Sequence, residues 1–304
     1  MSTKIKKIDS KQMSFKESIP YYILLAPFLI IFILLTVFPV LASLVLSFFN
    51  FDMINMLKFC GLDNYLRLIL DDQIFMTCLK NTIVLAVITG PFGFLASFVL
   101  AWFINEFNPM VRTFLSFLFY CPSLVGNAYF IWQVAFSGDS YGYVNSFLLS
   151  SGIIDEPVVW LSDTRYIMPI VIVVQLWQSM GVSFLSNISG LQNLNGELFE
   201  AGAIDGIRSR WQELWYITLP SMKHMLLFSA VMQIASAFSI SAIAVQLAGY
   251  PSVNYAVDTI VSYLSDVGGT RYEMGYASAM SVILFILMLS MRKIIAKLLE
   301  RTGE

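Results

Sequence analysis

Nucleophiles, general bases and metal ligands are sparse in this sequence, and their spacing suits no reaction. It holds one histidine, His224, and three cysteines, Cys60, Cys78 and Cys121. None stands at the short spacing a zinc site needs, so no metal is expected. Cys60 and Cys78 lie in or beside one stretch between apolar runs. They can be a disulfide or two free thiols, because the sequence does not show that they meet. No HExxH, carboxylate pair or serine with a nearby base falls within the apolar runs. The Gly-x-x-x-x-Gly-Lys-Ser/Thr pattern that cradles phosphates is missing too. No catalytic residue and no cofactor is expected on this chain, and any ATP chemistry has to come from another. What the apolar runs do contain is neutral polar and aromatic groups. These are Asn127, Tyr129, Trp132 and Gln133, then Gln175, Trp177, Gln178 and Asn187, then Gln233, Ser236, Ser239 and Gln246.

The elements that must position these groups are membrane helices. Of 304 residues, 58% are hydrophobic and 12% charged, with a mean hydropathy of +0.74. An ordinary soluble domain carries about 25% charged residues, so this chain lacks the polar surface to cover an aqueous core, and the lipid bilayer is its expected solvent. A net charge of −2 offers no basic field to nucleic acid. Crossing a bilayer takes about 20 apolar residues in a helix, which satisfies its own backbone bonds in lipid. Six stretches qualify, near 22–49, 81–105, 112–136, 166–190, 223–247 and 273–298. The first is far longer than the apolar core of a cleavable leader, about 7–15 residues, and is expected to stay as a span.

Charge then sets orientation. Cytoplasmic loops are rich in Lys and Arg, and Lys4, Lys6, Lys7, Lys11 and Lys16 crowd the N-terminus. With both termini in the cytoplasm, Arg112, Arg208, Arg210, Lys223, Arg292, Lys293, Lys297 and Arg301 join them. Only Lys58, Arg67, Lys80, Arg165 and Arg271 fall outside. The expectation is an all-α membrane protein with six spans. A tail over 1–20 precedes a first span at 21–49 and an outer loop at 50–80. A five-span core at 81–298 follows, with an inner loop at 191–222 and a short tail at 299–304. Asp71-Asp72 and Asp155-Glu156 read as solvated loop charges or as contacts to an outer partner. His224 reads as an interfacial residue.

The inner loop, LQNLNGELFEAGAIDGIRSRWQELWYITLPSM, is the unusual segment. It reads as a short helix capped by Asn195, a turn at Gly206, and a second helix running to Pro220. Glu200, Ala201, Gly202 and Ala203 form a small-residue patch that another surface can approach. The loop resembles the EAA coupling loop of type I ABC import permeases, whose pattern is Glu-Ala-Ala, three residues, Gly, nine residues, Ile-x-Leu-Pro. Glu200-Ala201-Gly202 stands for the triplet, Asp205-Gly206 for the Asp-Gly of sugar permeases, and Ile217-Thr218-Leu219-Pro220 for the ending. Gly202 replaces an alanine, and ten residues rather than nine separate Gly206 from Ile217. Further elements resemble the maltose and glycerol-phosphate type: Leu25-Ala26-Pro27, Phe38-Pro39, Phe49-Asn50-Phe51-Asp52, Gly61-Leu62-Asp63-Asn64-Tyr65, Asn81-Thr82, Tyr141 to Asn145, Trp160-Leu161 and Met274 to Ala279. The Thr-Gly-Gly-Gly-Pro element common in that family is missing, and Ala248-Gly249-Tyr250-Pro251 stands in its place.

The resemblance implies a type I importer permease fold and a multi-pass place in the bacterial cytoplasmic membrane. It implies a second homologous permease, a cytoplasmic ABC ATPase dimer that carries ATP and Mg, and an extracytoplasmic substrate-binding protein. The solute implied is a sugar or oligosaccharide. Glu200, Ala201, Gly202, Asp205, Gly206, Arg208, Ile217, Leu219 and Pro220 are then the ATPase-coupling residues, with Arg208 and Arg210 facing the ATPase or lipid phosphates. A polyol presents hydroxyls and apolar ring faces, so the polar and aromatic groups inside the spans become pathway candidates. Against each one stands helix packing, where such groups bond one another for about 0.6 kcal/mol, or anchoring of Trp and Tyr at the membrane interface. An ABC permease for another solute is the competing assignment. An ion-coupled transporter fits less well, since it needs an ionisable group near a span midpoint and none lies there.

Overall fold

A computed structural model describes residues 15–301. The lysine-rich tail through residue 14 and residues 302–304, about which the sequence raised expectations, lie outside the described residues. The first helix, α1, runs Phe15–Phe32, widens into a π turn at Ile33–Val37 and continues over Phe38–Leu46. The widening falls just before Pro39, whose ring crowds the preceding turn and whose missing N–H leaves a carbonyl free. Of residues 21–40, only Ala26 and Val37 are even half-buried. A two-residue antiparallel ladder follows, pairing Phe49 with Phe59 and Asn50 with Lys58.

Next come α2 (Gln73–Asn105), α3 (Pro109–Leu124), α4 (Phe130–Ala135) and α5 (Tyr143–Ser150). Then follow α6 (Ile167–Gln178), α7 (Val182–Gln192), α8 (Gly196–Ile204) and α9, which is Arg210–Glu213 with a π turn at Leu214–Thr218 and a last turn at Leu219–Ser221. The chain ends with α10 (Lys223–Phe238), α11 (Ser241–Ala248), α12 (Ile260–Gly269) and α13 (Met274–Arg301). Helices α2, α7 and α10 form the centre, with Phe98, Ala101, Ile104, Phe184, Ile188, Leu191 and Leu226 in one buried cluster.

Among the described residues, five helical stretches are long and apolar enough to cross a membrane: Tyr21–Leu46, Gln73–Asn105, Ile167–Gln192, Lys223–Ala248 and Met274–Ile295. The sixth expected span, 112–136, is not one helix. It stops at Leu124, passes through Val125 in an extended conformation (φ −90°, ψ 103°) and resumes at Phe130. Pro122 removes a backbone donor within the last turn of α3, and Gly126 adds freedom just beyond it. Two of the five spans are also interrupted, at Ser179–Gly181 between α6 and α7 and at Ser239–Ile240 between α10 and α11.

The loops gather at two ends. Residues 47–72 and 249–273 meet at one end, joined by the Arg67–Glu273 ion pair at 2.7 Å and by Tyr263 and Tyr276, which both donate to Asp72 at 2.7 Å. The 191–222 segment lies at the other, beside the end of α2.

Candidate functional site

In the 191–222 segment, Asn195 caps α8 by accepting the N–H of Glu197 at 3.1 Å. The helix closes in a Schellman arrangement: the N–H of Ile207 reaches the carbonyl of Gly202 at 2.9 Å, and that of Gly206 reaches Ala203 at 3.3 Å. Gly206 has φ +94°, a conformation that side chains with a Cβ resist. The Asp205-Gly206 pair is therefore a helix stop.

Gly202 is buried, and the surface that approaches it belongs to the chain itself. A Cβ there would lie 2.6 Å from Ile217 Cδ1 and 3.2 Å from Ile207 Cδ1. The small residue at this position locks α8 onto α9. Of α8 only Phe199 and Gly202 turn inward; Leu198, Ala201 and Ile204 recur every third residue on the exposed side, interleaved with Glu197 and flanked by Glu200 and Asp205, and Ile204 is 87% exposed. Ile217 and Leu214 are buried beneath, Leu219 is half-buried, and Pro220 and Arg208 are exposed.

The residue in excess between Gly206 and Ile217 has a physical home. Helix α9 starts with a capping box at Ser209 and Gln212 and then widens into the π turn Leu214–Thr218, where the N–H of Leu219 reaches back to Leu214. A π turn holds one more residue than an α turn. It delivers Ile217 to Gly202 and Pro220 to the start of the next helix despite the longer spacing.

The polar residues within the spans divide into packing groups and cavity-lining groups. Gln175 donates to both the carbonyl and the hydroxyl of Ser236 at 3.2 Å, joining α6 to the last turn of α10 just before its break. Gln233, 1% exposed, accepts from Ser183 at 3.0 Å. Its Nε2 lies where a Cβ on Gly93 would collide with it. Asn187 donates to Ser97 at 3.3 Å, and Gly181 brings its backbone against Ser123 of α3. The irregular turn at 179–181 and the end of α3 thus meet, with the Gln233 and Ser236 stretch of α10 alongside. Non-helical backbone at membrane depth is tolerated where protein buries it or where it lines a cavity.

Trp132 packs edge-on against Trp177, with ring centroids 5.6 Å apart, and Gln133 donates to the carbonyl of Gln246 at 3.2 Å. Tyr129 is buried in the core, its hydroxyl donating to the exposed Asn127. Gln178 is half-buried. A cavity of about 630 Å³ between α10–α11, α12 and α13 is lined by Ser239 and Gln246, and also by Ser241, Tyr250, Ser262 and Ser265, which the sequence did not single out. A second, of about 450 Å³, lies between Trp177 and Cys121, Ala128 and Ile131. Among the described residues, these two cavities divide the candidates, Ser239 and Gln246 lining one and Trp177 the other.

At the other end, the sequence elements outside the loop have structural work. Asn64 donates to the carbonyls of Ser47 and Phe49 at 2.9 and 3.1 Å, and the Tyr65 hydroxyl donates to Ser47 Oγ at 2.7 Å. Gly275 donates its N–H to Phe51 O at 3.0 Å, and a Cβ on it would collide with the Phe49 carbonyl. Phe49–Asp52, Gly61–Tyr65 and Met274–Ala279 thus form one corner. Asn81 donates to the carbonyls of Tyr255 and Asp258 at 2.8 and 3.0 Å, and Thr82 Oγ1 accepts the N–H of Ile260. Asn145, fully buried, donates to Ser137, Asp139 and Val158 and accepts from Val158 N–H and Trp160 Nε1. Burial pushes the Asp258 carboxyl above its usual range, against a lowering by the Ser252 N–H, which donates to it at 3.0 Å. Cys60 and Cys78 are free thiols.

Comparison with known proteins follows the same lines. The chain is 32% identical over 214 residues to the lactose transport system permease protein LacF of Rhizobium radiobacter, covering 69% of this chain and 70% of that one. It is 28% identical over 285 residues to the arabinooligosaccharides transport system permease protein AraP of Bacillus subtilis (strain 168), covering 93% and 89%. Its fold matches a chain of the bacterial alginate ABC transporter, solved in complex with an alginate pentasaccharide-bound periplasmic protein, at a TM-score of 0.78 and 22% identity over 95% of this chain and 96% of that one. Residues 90–302 match the family described as binding-protein-dependent transport system inner membrane component. The chain is a transport subunit rather than an enzyme, a multi-pass protein of the cytoplasmic membrane, and it belongs to that ABC transporter permease family.

Proposed function

We propose that this chain is one of two homologous permeases that together carry a sugar or oligosaccharide inward, with ATP and Mg held by a separate cytoplasmic ATPase dimer. The 191–222 end and both termini face the cytoplasm, and the interrupted α3–α4 run serves as the sixth crossing. The 47–72, 137–166 and 249–273 loops face outward, toward a substrate-binding protein. The observation that carries the reading is α8: a capped, glycine-stopped helix that presents Leu198, Ala201 and Ile204 to solvent while Gly202 is clamped on Ile217. An apolar face held rigidly beyond the membrane suits a cleft on another protein. Glu200 and Asp205 at its margin suit polar partners there. The sugar is supported by the substrates for which the relatives are named, lactose and arabinooligosaccharides, and by the cavity lined by Ser239, Ser241, Gln246, Ser262 and Ser265, which offers hydroxyl and amide partners beside one carboxylate, Asp266. ATPase closure then shifts a two-state equilibrium between inward- and outward-open forms.

The test is ATP hydrolysis in proteoliposomes holding both permeases and the ATPase, with the binding protein loaded with a neutral oligosaccharide or with an amino acid. Stimulation and uptake with the oligosaccharide alone support the reading. Stimulation by the amino acid alone assigns the other solute class.

A further inference from the structure

The 191–222 segment is joined to α2 as well as to the helix that follows it. The guanidinium of Arg210 bonds Glu213 at 2.7 Å and Glu106, at the C-terminal end of α2, at 2.8 Å. Both carboxylates raise the affinity of the guanidinium for its proton, Glu213 most and Glu106 next. Beside this pair Trp211 packs on Trp102, ring centroids 5.4 Å apart, and Leu214 is buried with Ala101 and Ile104 of α2. The end of α2 and helix α9, with Leu191, Leu194 and Phe199, enclose a hollow whose polar lining is Asn105, Glu106, Arg210, Glu213 and Thr218. On its other side, α9 holds α8 through Ile217 and Gly202.

We infer that Arg210 is a positioning residue: through Glu106 it ties the α8–α9 unit to α2, so that movement imposed on the exposed face of α8 reaches α2 directly. This rests on the proposed docking of α8 by an ATPase. Helix α2 is the span that packs on both α7 and α10, and it carries Gly93 and Ser97 against Gln233 and Asn187. A push at its Glu106 end is therefore felt along the polar seam at the centre of the bundle. Without the tie, α9 holds α2 through the Trp211 and Leu214 contacts alone.

The experiment uses the whole complex in proteoliposomes and reads two quantities, the ATPase retained on purification and the solute taken up per ATP hydrolysed. The variants are Glu106→Gln, Arg210→Gln and their double. Glu106 is 44% exposed, and Gln keeps its shape, so folding is spared. Each single change is expected to lower solute per ATP about twofold to fivefold, the scale of a partly exposed ion pair, with ATPase retention unchanged. The double is expected to fall no further than Arg210→Gln, which already removes the Glu106 pair together with the Glu213 pair. Glu106→Asp, which keeps the charge, recovers part of the loss. Wild-type coupling in Glu106→Gln, multiplying losses in the double, or loss of ATPase from the Glu106→Gln complex would each overturn the inference. Ile204→Asp in the same series separates the two claims: if it keeps its ATPase, the docking reading fails whatever Glu106 does.

Discussion

Gly275 opens the last span, where the packing leaves no room for a side chain. A Cβ there would collide with the carbonyl oxygen of Phe49 and lie 3.1 Å from both the Phe49 carbon and the Phe51 nitrogen. All of these are backbone atoms, so no side-chain rotation relieves the contact. Moving Phe49 strains its bond from Asn64 at 3.1 Å, and moving α13 strains the Gly275 to Phe51 bond at 3.0 Å. Overpacking costs about 1–3 kcal/mol and a weakened hydrogen bond about 1 kcal/mol, offset by a gain of up to about 1 kcal/mol from replacing Gly in a helix. Gly275→Ala should therefore destabilise the protein by about 1–3 kcal/mol. The assay is thermal unfolding in detergent, with Gly269→Ala as the reference, because a Cβ at Gly269 meets nothing within 4 Å. A Gly275→Ala protein that melts with the wild type, or above it, would refute the packing argument for this corner.

Three further outcomes follow from other sites. Asn145→Ala leaves the Ser137, Asp139 and Val158 carbonyls without their donor at about 1–3 kcal/mol, and limited proteolysis should cut the 137–160 loop faster than in wild type. Asp258 carries a raised carboxyl pKa, so the folded protein binds its proton more readily than the unfolded chain. That contribution is full below the unfolded value of about 3.9 and is lost as pH rises through the folded value; Asp258→Asn should flatten this slope and stabilise at neutral pH, read by melting between pH 4 and 8. Gly206→Ala forces a Cβ into φ +94° at about 1–2 kcal/mol, so amide exchange should speed up in 202–207, and an unchanged exchange rate would remove the argument for the helix stop.

Five spans were legible because each apolar run is long and uninterrupted by charge, which in lipid leaves the chain little choice but helix. The break in the third run was not. Its residues remain apolar through Val125, and only Pro122 and Gly126 hinted that the helix stops. The Asn195 cap and the turn at Gly206 could be read because both are local, settled by side-chain and backbone geometry within a few residues. The burial of Gly202 against Ile217 was hidden, since it depends on how two helices fold on each other through a π turn that no propensity announces. Asn64, Asn145 and Gly275 were visible as sequence elements, yet their roles were not. Each satisfies or abuts backbone groups that the fold brings in from elsewhere. Likewise Arg210 looked free to meet a partner or lipid until Glu106, far off in the chain, came to lie beside it.

The claim at the centre of the account is that the exposed face of α8 seats the ATPase. The most direct measurement is co-purification of the ATPase with the permease pair carrying Ile204→Asp, which places a charge on an 87% exposed apolar position without disturbing the Gly202–Ile217 clamp behind it. The account predicts permease pairs that insert and purify normally while the ATPase is lost and solute-stimulated hydrolysis disappears. An Ile204→Asp complex that retains its ATPase and turns over at the wild-type rate would contradict it, and would leave α8 a connector between two spans.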